Sequence, residues 1–181
     1  MADLTTVAKL VEYLGLTIVP PSVFPRLVSA ASAFIESNLN RIFEITDYVE
    51  TRSGRDEKFI TFSDYPVSSV SSVSIDGQAI PAAASITGAG YRFDDTRLVL
   101  NGYRFNRGLL NVQIAYSAGY ATVPYEVEQA CLDVAARKYK ERDRVGVNSK
   151  IINGETVVFS KTDMTDELKS ILRAYQKVVP V

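Results

Sequence analysis

Apolar positions recur at helical spacing towards both ends of the chain and alternate singly through its middle. Val7, Leu10, Val11 and Leu14 predict a short helix over 5–14, with Gly15 placed to stop it. Phe24, Leu27, Val28, Ala31, Phe34, Ile35 and Leu39 predict a longer helix over 22–39. Ser22 is its expected cap, and Pro25 is tolerable in the first turn, where an N–H has no intrahelical partner.

From about residue 46 the period shortens to two. TDYVETR and EKFITF read as strands joined by a turn at Ser53-Gly54-Arg55. SVSI and QAI flank Asp76-Gly77, a hairpin signal, and the alternation slips around Val70, which predicts a bulge. YRF, RLVL and LLNVQIAYS follow, with Asn101-Gly102 and Arg107-Gly108 as turn points. The expectation is six or seven short strands over 46–118, with turn signals at sandwich or barrel spacing.

The helical period returns at Pro124 and predicts a helix over 124–144, ended by Gly146. Val127, Cys131, Val134 and Ala135 form its apolar stripe, widened by Leu132 and Tyr139. Its polar stripe runs from Glu126, Gln129 and Asp133 to Arg137, Lys140 and Arg144, acidic to basic as the macrodipole prefers. Asn153-Gly154 then signals a β-hairpin within about 147–160. A last helix is expected over about 164–178, capped by Asp163, with Leu168, Ile171, Leu172 and Tyr175 on one face. The predicted class is therefore α+β. Residues 1–45 and 119–181 are expected to form a helical bundle with a hairpin arm, and 46–118 an inserted small antiparallel β subdomain.

Composition narrows the chemistry. The chain has 181 residues, a net charge of −1 and 23% charged residues, an ordinary globular balance. A dedicated duplex-DNA binder carries a basic excess that is absent here, so any contact with DNA is expected to be local. There is no histidine, which removes Ser-His-Asp and Cys-His nucleophilic sites and the HExxH helix. The single cysteine allows no intrachain disulfide. No stretch approaches the roughly 20 apolar residues of a membrane span. MADLTTVAKLVEYLG lacks the basic start and apolar run of a signal peptide, and a soluble protein made in the cytoplasm is expected.

The remaining candidates have bland alternatives. Cys131 lies on an apolar stripe and reads as a small core residue. Asp94-Asp95, Asp76 and the Glu126/Glu128 pair are the carboxylate candidates for acid–base or cation chemistry. Turn chemistry and helix N-terminal charge account for all three and are the favoured reading. The glycines of TGAGY, NGY and AGYAT match no phosphate-binding loop. Tyr65, Tyr91, Tyr103, Tyr116 and Tyr120 sit in or beside the β region and read as core or interface residues. The basic run RKYKERDR at 137–144 reads either as a DNA contact or as a solvated helix end.

The order of several segments carries more. LTTVAKLVEYLGL, LVSAASAFIESNLNRIF, DYPVSSVSSVSIDG, the long GLLNVQIAYSAGYATVPYEVEQACLDVAARKYKERDRVGVNSK and the closing TDMTDELKSILRAYQKV cover most of the chain. In this order they resemble the head–tail connector (adaptor) proteins of long-tailed bacteriophages and prophages. One departure is the start of the closing helix, where the family pattern has a proline near Thr165.

The resemblance implies a structural virion protein of the neck, made in the bacterial host cytoplasm. It implies a ring of about twelve copies under the portal. That ring would extend the DNA channel and dock the next neck (stopper) or tail protein. It implies no enzymatic activity and no cofactor or metal. The expected partners are further copies of the chain, the portal protein, the next neck or tail protein, and passing DNA without sequence preference. Arg137, Lys140, Arg142 and Arg144 are expected to border the channel or pair between subunits. Leu168, Ile171, Leu172, Tyr175, Val178 and Val179 are expected to dock the portal. Ile151, Ile152, Val157 and Phe159 are the expected contacts of the hairpin arm. The alternatives from other classes are a β-sandwich binding carbohydrate or a host surface on a helical stalk, a glycosidase using Asp94 and Asp95, and a DNA binder using Arg137, Lys140 and Arg144.

Overall fold

A computed structural model of the chain describes residues 3–17, 23–142, 149–152, 155–158 and 164–177. In chain order the elements are α1 (Val7–Leu14), α2 (Val23–Leu39), β1 (Thr46–Gly54), β2 (Phe59–Thr61), β3 (Val67–Ile75), β4 (Gln78–Ile80) and β5 (Gly90–Phe93). They continue with β6 (Arg97–Asn101), β7 (Gly108–Ala118), α3 (Tyr125–Glu141), β8 (Ser149–Ile152), β9 (Glu155–Val158) and α4 (Asp166–Arg173). The chain divides into a helical unit, Met1–Arg41 with Val123–Gln176, and a β unit, Ile42–Thr122 with Lys177–Val181.

In the helical unit each helix starts and stops for local reasons. Thr6 caps α1, its hydroxyl accepting from the Lys9 N–H at 3.3 Å, and Gly15 ends it in the left-handed conformation at φ 64°. On α2, Phe24, Val28, Ala31, Ile35 and Leu39 are buried, which is the predicted stripe without its flanking Leu27 and Phe34. Facing them, α3 buries Val127, Ala130, Cys131, Val134 and Ala135, and the rings of Phe24 and Tyr139 meet at 4.9 Å. Small residues on α3 allow the close approach; each buried methylene contributes roughly 0.8 kcal/mol. Leu10 inserts from α1 and is fully buried.

The bounds of α3 and α4 differ from expectation. Helix α3 ends at Glu141, and the predicted stop, Gly146, lies outside the described residues. Helix α4 spans only eight residues, and Thr165 caps its start, its hydroxyl accepting from the Leu168 N–H at 3.4 Å. The threonine does at the helix start what the expected proline would do by fixing φ. The predicted cap, Asp163, lies outside the described residues. Strands β8 and β9 pair antiparallel with Ile152 opposite Glu155, as the Asn153-Gly154 signal predicts.

The β unit contains a sheet ordered β1-β7-β3-β4 and another ordered β2-β6-β5. The expected β1–β2 hairpin does not form: β1 pairs with β7, and β2 pairs with β6. The β3–β4 hairpin at Asp76-Gly77 does form, and β3 slips register against β7 between Val70 and Ser72, where the alternation fails. Val73, Val112 and Ile114 from one sheet and Leu98 from the other make one buried cluster with Phe62, Phe105 and Tyr116. After β7, Gly119 sits at φ 138°, where the Tyr120 N–H donates to the Phe43 carbonyl at 2.8 Å. A Cβ on Gly119 would lie 2.5 Å from the Glu44 carbonyl oxygen, so only glycine fits. Gly119→Ala is expected to cost about 2–4 kcal/mol. A denaturant midpoint unchanged by the substitution would show that the Glu44 segment yields instead.

Candidate interaction surfaces

Helix α3 carries most of the polar groups singled out by sequence, and its acidic end is already engaged. Glu128 Oε1 lies 2.6 Å from Lys9 Nζ and accepts from the Thr5 hydroxyl at 3.3 Å. Asp133 Oδ1 accepts from the Tyr13 hydroxyl at 2.6 Å and from Gln129 at 3.1 Å. That bond holds the Tyr13 phenol above its ordinary pKa. Glu126 accepts from the hydroxyl of Tyr175. The carboxylates offered by sequence as acid–base candidates on this helix thus fasten α1 and the segment after α4.

Along the same face runs an open groove of about 920 Å³ between α1, α3 and α4. Its floor includes Leu132, Ala136 and Leu168, and Tyr13, Tyr125 and Ile171 stand around it. Arg137 and Lys140 border its far end. Arg142 stacks over the Tyr139 ring at 4.2 Å, and Lys138 over Phe34 at 5.0 Å, so part of the basic run packs against aromatic faces. Arg144 lies outside the described residues.

The expected docking residues of the C-terminal segment divide. Leu168 and Leu172 are 8% and 2% exposed and point into their own unit, whereas Ile171 is 40% exposed. The Tyr175 carbonyl accepts from Arg41 Nη1 at 3.1 Å, and Val178 and Val179 lie outside the described residues. In the β unit, Lys177 Nζ lies 2.8 Å from Asp64 Oδ2, both largely shielded from water. Of the hairpin residues, Ile151 and Ile152 fall on β8 and Val157 on β9, and Phe159 lies outside the described residues.

Of the other carboxylate candidates, Asp94 and Asp76 have structural partners, while Asp95 is exposed and its backbone carbonyl accepts from the Val67 N–H at 2.9 Å. Asp94 Oδ1 accepts from the Thr96 and Arg97 N–H groups, each at 2.7 Å, and these bonds hold its carboxyl below the usual range. Asp76 accepts from Asn106 at 3.0 Å and Asn111 at 2.9 Å, with the same effect. Among the described residues no three potential ligands gather as a metal site, and no helix is long and apolar enough to cross a membrane. The Cys131 thiol is buried against Ser32, and desolvation pushes it up to about 11.

Sequence reasoning missed two features. One is a shielded polar cluster in the β unit, where Glu50 accepts from the Tyr116 hydroxyl, the Ser63 N–H at 3.2 Å and Arg52 Nε at 2.9 Å. Burial, then that carboxylate, raises the Tyr116 pKa far above the ordinary phenol. The alternation of β1 puts Glu50 and Arg52 on the inward face, which was the available signal. The other is the exposure of Leu109 and Leu110, which the strand run LLNVQIAYS does not announce: they are 91% and 68% exposed at the start of β7.

In the helical unit and the two-sheet unit, Glu126, Glu128 and Asp133 and Asp76 and Asp94 each hold a structural contact. The chain belongs to the head completion protein family, whose model matches residues 3–178. Its fold is similar to that of a chain in the neck of a native gene transfer agent (GTA) particle computed with C12 symmetry. There the identity is 16% and the TM-score 0.57, over 97% of this chain and 90% of that chain. A chain from the neck of the empty particle, computed with C6 symmetry, is similar at 18% identity and TM-score 0.58, with the same coverage of both chains. A chain from the virion of the native particle is 17% identical at TM-score 0.57, again over 97% and 90%. No curated protein matches the chain.

Tyr116→Phe leaves Glu50 short of a donor in a shielded site and is expected to cost about 1–3 kcal/mol in chemical denaturation. Loss of stability within error of zero would mean that water replaces the hydroxyl. Because the folded state holds the Cys131 thiol protonated, its contribution is full below about pH 9 and is lost as pH rises towards 11. The native chain is expected to resist thiol reagents at pH 8 and to react with one equivalent in urea. Prompt reaction of the native chain would place the thiol at the surface.

Proposed function

We propose that the chain is a structural subunit of the virion neck, a head–tail connector that forms a ring under the portal, extends the DNA channel and docks the next neck or tail protein. Membership of the head completion protein family over nearly the whole chain carries this reading. The shared fold with chains from gene transfer agent necks, computed with C12 and C6 symmetry, supports a ring of about twelve copies. The same membership disfavours the carbohydrate-binding alternative. The protein acts without catalysis in this reading, which the structural commitments of Asp76, Asp94, Glu126, Glu128 and Asp133 support.

The portal is the proposed partner of the C-terminal segment. Leu168 and Leu172 anchor α4 in its unit, and Ile171, Val178 and Val179 supply the contact. Arg137, Lys140, Arg142 and Arg144 remain the proposed channel-facing or inter-subunit cations. The balance of 20 basic and 21 acidic residues fits passing, non-specific contact with DNA better than a duplex-binding role.

The test is made on particles. Mass spectrometry of purified virions is expected to find this chain at a copy number matching that of the portal protein, and its absence would sink the reading. Val178→Asp combined with Val179→Asp is expected to leave the melting temperature unchanged while the chain is lost from particles. Normal incorporation of that variant would move the portal contact elsewhere.

A further inference from the structure

The turn into β7 is built more firmly than its exposure requires. Arg52 faces Val112 and Gly54 faces Gly108, so Ser53 alone stands opposite Leu109, Leu110 and Asn111. Such a bulge re-aims side chains, and here it leaves Leu109 91% and Leu110 68% exposed. Leu110 also sits at φ 50°, a region that bulky L-residues avoid.

A rigid frame holds this conformation. The Leu110 N–H donates to Ser53 Oγ at 3.1 Å. Asn111 accepts from the Gly54 N–H at 2.9 Å and donates to Asp76 at 2.9 Å and to the Asn106 carbonyl at 3.0 Å. A Cβ on Gly54 would lie 1.9 Å from the Asn106 carbonyl oxygen, so the strands close tightly beneath the turn. Two leucines are thus fixed in water on a strained backbone, an outlier of the kind that marks a functional site. A turn already held in one shape loses little further freedom on binding.

We propose that Leu109 and Leu110 anchor each subunit to its neighbour by seating in the groove between α1, α3 and α4 of a second copy of this chain. This rests on the ring reading above and names the contact that closes the ring. The groove offers an apolar floor, with Tyr13 48%, Tyr125 83% and Ile171 40% exposed around it. Its lining carries four carboxylates, Glu126, Glu128, Asp133 and Glu141, against two cations, Arg137 and Lys140, with Lys9 on Glu128 as a third. The hollow beside the leucine turn has the opposite balance, Arg55 and Arg107 against Asp56. Turn and groove are unlike patches on one chain, and a contact between unlike patches is heterologous, the kind that propagates head to tail and closes a ring.

The experiment pairs Leu109→Cys with Tyr125→Cys in one chain and oxidises purified particles; Tyr125 lines the groove away from the proposed portal contact, and Cys131 is fully buried and does not compete. The expected result is a reducible ladder of dimers and higher multimers of this chain, absent from either single variant. Particles that carry the double variant at the wild-type copy number but give no ladder overturn the proposal, as does a cross-link to a different protein. A second variant, Leu109→Ser with Leu110→Gly, removes the leucines and relieves the backbone. Its melting temperature is expected to be unchanged or higher, with incorporation reduced at least tenfold; incorporation at the wild-type level overturns the anchor. If the wild-type chain itself is missing from particles, the ring reading falls first. If the wild type is present and only the pairing fails, the ring reading stands without this contact.

Discussion

Strand β7 hydrogen-bonds to β1 along one edge and to β3 along the other, and the β unit follows from its register. Because side chains alternate, one choice of pairing sends Val112, Ile114, Tyr116 and Ala118 inward together and leaves Gln113 exposed. That choice also brings Tyr48 opposite Tyr116 and Glu50 opposite Ile114. Glu50 consequently reaches the Tyr116 hydroxyl, Arg52 and the Ser63 N–H inside the unit. A slip of one residue would bury the polar face and expose the apolar one, so the polar cluster and the core enforce the same register. The two ends of β7 are finished differently. Gly119 lets the backbone turn against the Glu44 carbonyl, and the bulge at Leu109–Asn111 releases the strand from β1.

The helical unit solves a similar problem with side chains in place of a ladder. The long helix α3 has an apolar face that α2 covers, and a second face on which acidic residues receive α1 and the segment after α4. These contacts lie at or near the surface, where an ion pair such as Lys9–Glu128 contributes at most about 1 kcal/mol. Burial of Leu10 and Leu172 supplies more, and the polar contacts fix which way the helices face. Charge at the N-terminal end of α3 is thereby committed within the unit, while its basic C-terminal end packs partly on Phe34 and Tyr139.

How far the sequence reveals this depends on whether a feature is local. The helices were legible because their stripes and stops are carried by neighbouring residues, as in Leu10 with Gly15. The Asp76-Gly77 and Asn153-Gly154 hairpins were legible for the same reason. The partner of β2 was not, since turn residues at 53–55 announce a reversal without saying which strand receives it. Leu109 and Leu110 read only as the start of the strand run LLNVQIAYS, and a bulge set by the distant pairing of Arg52 with Val112 leaves no mark in composition. The acidic stripe of α3 was visible, but its partners, Lys9, Tyr13 and Tyr175, lie far away in sequence.

A ring subunit must present two surfaces that do not match themselves, or it pairs with itself and stops at a dimer. Two units with separate cores suit that demand. The leucine turn depends on Asn111, Gly54 and Ser53 within the β unit, and the groove depends on α1, α3 and α4 within the helical unit. Each patch is therefore shaped by its own unit, and a change in one need not disturb the packing behind the other. The strain at Leu110 acquires a sense in this light. An apolar turn that collapsed onto its own sheet would be more comfortable in the isolated chain and of no use to a neighbour. A frame of hydrogen bonds beneath it holds the leucines in the exposed position that the proposed contact requires.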